Sequence, residues 1–151
     1  MKFQKKLESA LKSQGGFTLT EMLIVIAIIA LIGSLVTTQL FSRYNKAKVD
    51  ATKVQMRQIG TILDQYRLDC NVYPTTEQGL DALLEPPQTG RKCKSYDPDG
   101  YIKGGKIPKD GFDNDFIYFS DGRKYELRSL GQDGQEGGEG FDADISSMDI
   151  E

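Results

Sequence analysis

The hydrophobic pattern changes character near residue 40. From Met22 to Val36 nearly every position is apolar, interrupted only by small residues. Residues 17–40 are long enough, as a helix, to cross a bilayer core of roughly 30 Å. Farther on, Val49, Val54, Met56, Ile59, Ile62, Leu63, Tyr66 and Leu68 recur largely at three- and four-residue spacing. Lys46, Lys48, Asp50, Lys53, Arg57, Asp64 and Arg67 fill the other face. That spacing predicts an amphipathic helix with one side packed on a domain. No proline or turn cluster breaks Ser42–Leu68, so both halves read as one helix from about Thr18 to about Asp69.

Shorter elements follow. Pro74 ends an extended entry, and Thr75 or Thr76 can cap a short helix whose apolar face is Leu80, Leu83 and Leu84, ended by Pro86-Pro87. Gln88–Gly105 is polar and glycine-containing, hence a surface loop. Phe116–Phe119 and Lys124–Leu130 are β-rich, and Ser120-Asp121-Gly122-Arg123 between them carries the Asp-Gly signal of a hairpin. The expected fold class is therefore α+β: a long N-terminal helix packed against a small antiparallel sheet.

Charge narrows the function. The chain has formal net charge -3, and residues 1–16 hold Lys2, Lys5, Lys6 and Lys12 against Glu8, so the remainder is more acidic still. An acidic chain is a poor match for nucleic acid, which wants a basic face. There is no histidine, which removes imidazole metal ligands and histidine-based catalysis. Neither a Ser/His nor a Cys/His set exists, and no Gly-Lys-Thr phosphate loop is present, so the chain reads as no enzyme. Residues 1–16 are polar and basic with no apolar core of their own, unlike an ordinary secretory signal. Their charge favours a cytoplasmic N-terminus, with the C-terminal part carried across the membrane.

Glu21 stands out, because a carboxylate near the start of a spanning helix is costly. One reading is local: Thr18 and Glu21 form a capping box. The other is intermolecular: if the chain is cut after Gly16, Phe17 gains a free amine that can pair with Glu21 of a neighbouring subunit. At these residues the chain resembles a known family. Gly16-Phe17-Thr18-Leu19-Thr20-Glu21, running into an apolar helix, is similar to the class III leader of type IV pilins and type II secretion pseudopilins. The resemblance implies cleavage by prepilin peptidase between Gly16 and Phe17, N-methylation of Phe17, and an assembly role for Glu21. It divides the chain into a leader 1–16, a membrane-spanning half-helix 17–40 and a periplasmic domain 41–151. Relatives often carry a proline where Thr38 stands; Gly33-Ser34 is the alternative weak point of this helix.

Tyr73-Pro74-Thr75-Thr76-Glu77-Gln78-Gly79-Leu80 resembles the hallmark stretch of the major pseudopilins, which ordinary pilins lack. Ile107–Phe116 resembles the family's Pro-x-Asp-Pro-Trp-Gly-Asn turn, with Gly111 for the proline and Phe112 for the tryptophan. The glycine-rich segment 131–144 admits two readings from composition, a solvated acidic loop or a hard-cation loop supplying carboxylates and carbonyls. It is no EF-hand, since no glutamate stands at the twelfth position. The resemblance implies a calcium loop: Asp133, Asp142 and Asp144 through side chains, Leu130 and Gln135 through carbonyls, with Ca2+ as cofactor. Cys70 and Cys93 lie in what would be an oxidising space, where a disulfide closing the loop or two free thiols are the alternatives.

The function implied is the major subunit of a secretion pseudopilus, a homo-oligomeric helical filament that drives export of folded proteins. Its partners would be minor pseudopilins, the inner-membrane assembly platform, prepilin peptidase and the inner membrane itself. The rival reading is a type IV pilus subunit for adhesion or motility.

Overall fold

The computed structural model describes residues 16–150, with side chains throughout except at 34–39. Leader residues 1–15 and the Thr38 side chain lie outside the described residues. Helix α1 spans Leu19–Cys70, 52 residues. A 3-10 turn follows at Leu80–Leu83. Strands β1 (Ile117–Ser120), β2 (Tyr125–Ser129) and β3 (Ile145–Ser146) form one antiparallel sheet in that order, and a second 3-10 turn covers Ser147–Asp149.

The chain divides into a unit ending at Phe41 and a head, Ser42 onward. In the first unit the apolar side chains of α1 are exposed, Leu23 at 58% and Leu31 at 66%. Among the described residues no helix is long and apolar enough to cross a membrane. Side chains of the apolar run are described only up to Gly33, shorter than the roughly 20 residues a span requires.

In the head, the amphipathic half of α1 buries Met56, Ile59, Leu63 and Tyr66 among Leu83, Tyr118 and Leu127. Thr52 belongs to the same buried stripe, whereas Val54 and Leu68, counted in the apolar pattern, are exposed. The hairpin forms with Ile117 opposite Arg128 and Ser120 opposite Tyr125. Its turn is held by Asp121, whose carboxylate accepts the N–H groups of Arg123 and Lys124 at 2.8 and 2.9 Å. Those two bonds keep the Asp121 carboxyl below its usual range. Strand β3 was not legible in the sequence; it has two residues and pairs through Arg128–Ser146 and Ser129–Ile145.

The Tyr73–Leu80 stretch corrects one expectation. The 3-10 turn has Gly79 at its cap with no side-chain cap bond, so neither Thr75 nor Thr76 caps it. Thr75 instead bridges to Asp121, and Thr76 exchanges bonds with Ser120: its N–H and hydroxyl donate to the Ser120 carbonyl, and its Oγ1 accepts the Ser120 N–H at 2.7 Å. Tyr73 donates to Asp64 of α1 at 2.7 Å and packs edge-on against Tyr125. The motif is a clasp joining helix to hairpin: alongside local bonds such as Thr75 N–H to Gln78 Oε1, Tyr73 reaches Asp64 of α1 and Thr76 reaches Ser120.

Cys70 and Cys93 are joined in a disulfide, 23 residues apart. It fastens the loop that carries Tyr96 and Tyr101, which stack edge-on with Tyr66 of α1. A closed loop of that size contributes about 3 kcal/mol on the chain-entropy account. Burial pushes the Tyr101 phenol up to about 12, and its hydroxyl donates to Asp69.

Candidate processing junction and cation loop

Gly16 and Phe17 precede the helix, and Phe17 is 82% exposed. Glu21 closes a capping box with Thr18: its Oε2 accepts the Thr18 N–H at 2.9 Å and hydroxyl at 3.1 Å, while the Glu21 N–H donates to Thr18 Oγ1 at 3.2 Å. Of the two sequence readings of Glu21, the local one is therefore formed within this chain. It satisfies helix N–H groups that would otherwise be orphaned. The partners are exposed, so an incoming cationic group can compete for the carboxylate.

The acidic loop is built on a hub that sequence reasoning missed. Asp110 is 5% exposed. Its Oδ1 accepts the N–H groups of Phe112 and Asn114, both at 2.8 Å, and its Oδ2 accepts the Ser129 hydroxyl at 2.6 Å. A buried carboxylate is tolerated when its oxygens are filled in this way. Gly111 lies directly on α1: its N–H donates to Thr52 Oγ1 at 2.9 Å, and a Cβ there would run into the Lys48 carbonyl. The Asp-Gly-Phe-Asp-Asn run was the available signal, but its partners Thr52 and Ser129 are far away in sequence.

From this hub the loop is positioned. Asn114 Nδ2 donates to the Gly131 carbonyl at 3.0 Å, and Asn45 of α1 donates to Gln132 Oε1 at 3.0 Å. The loop closes on itself through Gln132 N–H to the Phe141 carbonyl and Asp144 N–H to the Gly137 carbonyl. Gly131 sits at φ 63 with the Asp142 and Ala143 carbonyls so near that a Cβ would meet them at 2.6 and 2.8 Å. Only glycine admits that approach.

The predicted ligands are placed as follows. Leu130, Asp142 and Asp144 are half-buried, whereas Asp133 and Gln135 are exposed. Asp133 Oδ1 accepts the Gln135 N–H at 3.0 Å. Asp144 Oδ1 is buried without a hydrogen-bond partner. It faces the charge field of Arg128, whose pKa is raised first by the hydrogen bond to Glu126 and further by Asp144 and Glu136. Among the described residues no three Asp, Glu, Cys or His side chains are gathered tightly enough to hold a metal ion. The donor chemistry of the loop nevertheless fits a hard divalent cation: carboxylate and carbonyl oxygens, crowded turns and one buried oxygen lacking a donor.

Comparison with known proteins follows the same outline. A family described as "Type II secretion system (T2SS), protein G" matches residues 39–148. A second, "Prokaryotic N-terminal methylation motif", matches residues 11–37. The chain is 41% identical over 140 residues to the type II secretion system core protein G of Pseudomonas aeruginosa, covering 91% of this chain and 97% of that protein. The protein of the same name from Vibrio cholerae is 41% identical over 143 residues, 93% of this chain and 96% of the relative. A crystal structure of the major pseudopilin from the type 2 secretion system of enterohaemorrhagic Escherichia coli matches with TM-score 0.62 at 34% identity, over 72% of this chain and 88% of that one.

Proposed function

This chain belongs to the type II secretion system protein G family, and from that premise we propose that it is the major subunit of a periplasmic pseudopilus that drives folded proteins across the outer membrane. The observation that carries the reading is the pairing of an exposed apolar helix start, capped by Glu21, with a compact pseudopilin head on the same helix. The relatives are secretion proteins by name, which favours export over the adhesion or motility of a surface pilus.

The apolar residues of 17–40 anchor the subunit in the inner membrane with the head in the periplasm. Prepilin peptidase cuts between Gly16 and Phe17, and Phe17 is N-methylated. The new amine on Phe17 of one subunit takes the Glu21 carboxylate of its neighbour. The Thr18–Glu21 box holds that carboxylate until then, so its release accompanies assembly. Removing apolar side chains from lipid into a bundle of like helices leaves Glu21 and the amine as the polar pair that sets register. Minor pseudopilins and the inner-membrane assembly platform are the expected partners of the growing filament.

Ca2+ is the cation we assign to the loop 130–144, with Asp133, Asp142 and Asp144 as side-chain ligands and Leu130 and Gln135 as carbonyl ligands. Bound there, it would neutralise mutually repelling carboxylates and supply the partner that Asp144 Oδ1 lacks. Gly131 and the Asn114 and Asn45 bonds tether the loop to the rest of the head, which supports that assignment.

The test is deletion of this chain followed by complementation. Wild type restores export of folded proteins, and Glu21→Ala leaves them in the periplasm. Normal export after deletion, with loss of surface filaments, would replace this reading with the pilus one.

A further inference from the structure

We propose that the basic groove beside the late part of α1 and the acidic glycine-rich loop beside its early part are the two halves of a head-to-tail contact between successive copies of this chain. The proposal rests on the polymer reading above and names a surface the polymer uses. The groove is a cleft of about 380 Å³ lined by Arg67, Tyr73, Arg123, Lys124, Tyr125 and Met148. Two carboxylates beside it are engaged by other groups. Asp121 is bound to the backbone of Arg123 and Lys124, and Asp64 accepts the Tyr73 hydroxyl. Arg123 and Lys124 are both exposed. Met148 at the lip is 67% exposed, an apolar anchor without a cover among the described residues.

The other half has opposite charge. Residues 131–144 carry Asp133, Glu136, Glu139, Asp142 and Asp144 with no lysine or arginine. The aspartates are the residues assigned to the cation, which leaves Glu136 and Glu139 pointing outward, both exposed. The groove is reached at Arg67 and the loop is tied down at Asn45. At 1.5 Å per helical residue, those positions lie roughly 30 Å apart along α1.

Two complementary patches separated along one axis cannot satisfy each other within a molecule. A two-fold dimer also pairs them, groove of each copy on loop of the other, but it closes after two copies and cannot grow into the filament that the reading above requires. Heterologous contact, loop of one copy on groove of the next, propagates as an open filament. Opposite charges at such a surface set register and suppress wrong alignments more than they add affinity.

The test uses the full chain in cells that assemble it. Arg123→Glu with Lys124→Glu should cut filament yield roughly tenfold, as should Glu136→Lys with Glu139→Lys, while all four together recover most of it. Membrane levels of each variant, with the Cys70–Cys93 bond checked on non-reducing gels, show whether the head still folds. A chain carrying both Lys124→Cys and Glu139→Cys should give a ladder of cross-linked multimers, and either substitution alone should not. Wild-type yield from the charge variants, or no recovery in the fourfold variant at normal subunit levels, overturns this contact. The absence of any ladder from the doubly substituted chain in assembled filaments does the same. If wild-type chain forms no filament at all, the polymer reading falls and takes the contact with it.

Discussion

The two halves of α1 make the same backbone from opposite side-chain logic. Before Phe41 the apolar residues surround the helix and remain exposed, Ile29 at 64% and Leu31 at 66%. After Ser42 they collect on one face, where Ile59 and Leu63 are fully buried at 0%. The second half is held by tertiary contacts; the first opens on the Thr18–Glu21 cap and leaves its apolar side chains exposed. A helix that is greasy all round needs lipid or other copies of itself to be satisfied. The head folds around one face of its helix, whereas the first half leaves its apolar side chains exposed.

The largest effect expected on that contrast comes from matched truncations. Leu63→Ala should cost the head about 2–5 kcal/mol, through lost burial and the cavity left behind. Leu31→Ala should leave head unfolding within about 0.5 kcal/mol. Denaturant titration of both variants decides, and equal losses would abolish the distinction.

A smaller effect separates the head's core from its loop. Saturating Ca2+ at a hundredfold its dissociation constant should stabilise the head by about 2.7 kcal/mol, and chelation should remove that gain. Asp144→Asn should make melting indifferent to the ion. A melting temperature unmoved by chelation in the wild type would sink the calcium assignment while leaving the core argument intact.

The smallest concerns Glu126. Its carboxyl is held below the usual range by the Arg128 guanidinium first and the Ser146 hydroxyl second. A depressed folded pKa stabilises the fold above the unfolded value of about 4.3, and the contribution disappears as pH falls through the folded value. Because the pair is partly solvated, the effect is modest. Glu126→Gln should flatten the loss of head stability on acidification below about pH 4.3; an unchanged slope would show that titration of this carboxylate does not contribute to head stability.

Legibility along the chain followed the range of the interactions. The extent of α1 and the hairpin were readable because 3.6-residue periodicity and an Asp-Gly turn act among near neighbours. The Thr18–Glu21 box was readable for the same reason, at three residues' spacing. Thr75 and Thr76 were misread as caps because their partner strand lies 44 residues on. Val54 and Leu68 were assigned to the apolar face, but both fall out of phase with the buried stripe Thr52, Met56, Ile59, Leu63, Tyr66 and Cys70.

By itself the sequence determined the two-part helix, the short hairpin, the acidic glycine-rich loop and a specific family resemblance, because each is written in local spacing or a contiguous motif. Only the tertiary structure decided that Asp110 is a buried hub, that the Tyr73–Leu80 stretch is a clasp, and that groove and loop lie at different levels of one helix. Those depend on groups brought together across as many as 87 residues, as at Asn45 and Gln132. Chain topology, not local preference, sets such distances.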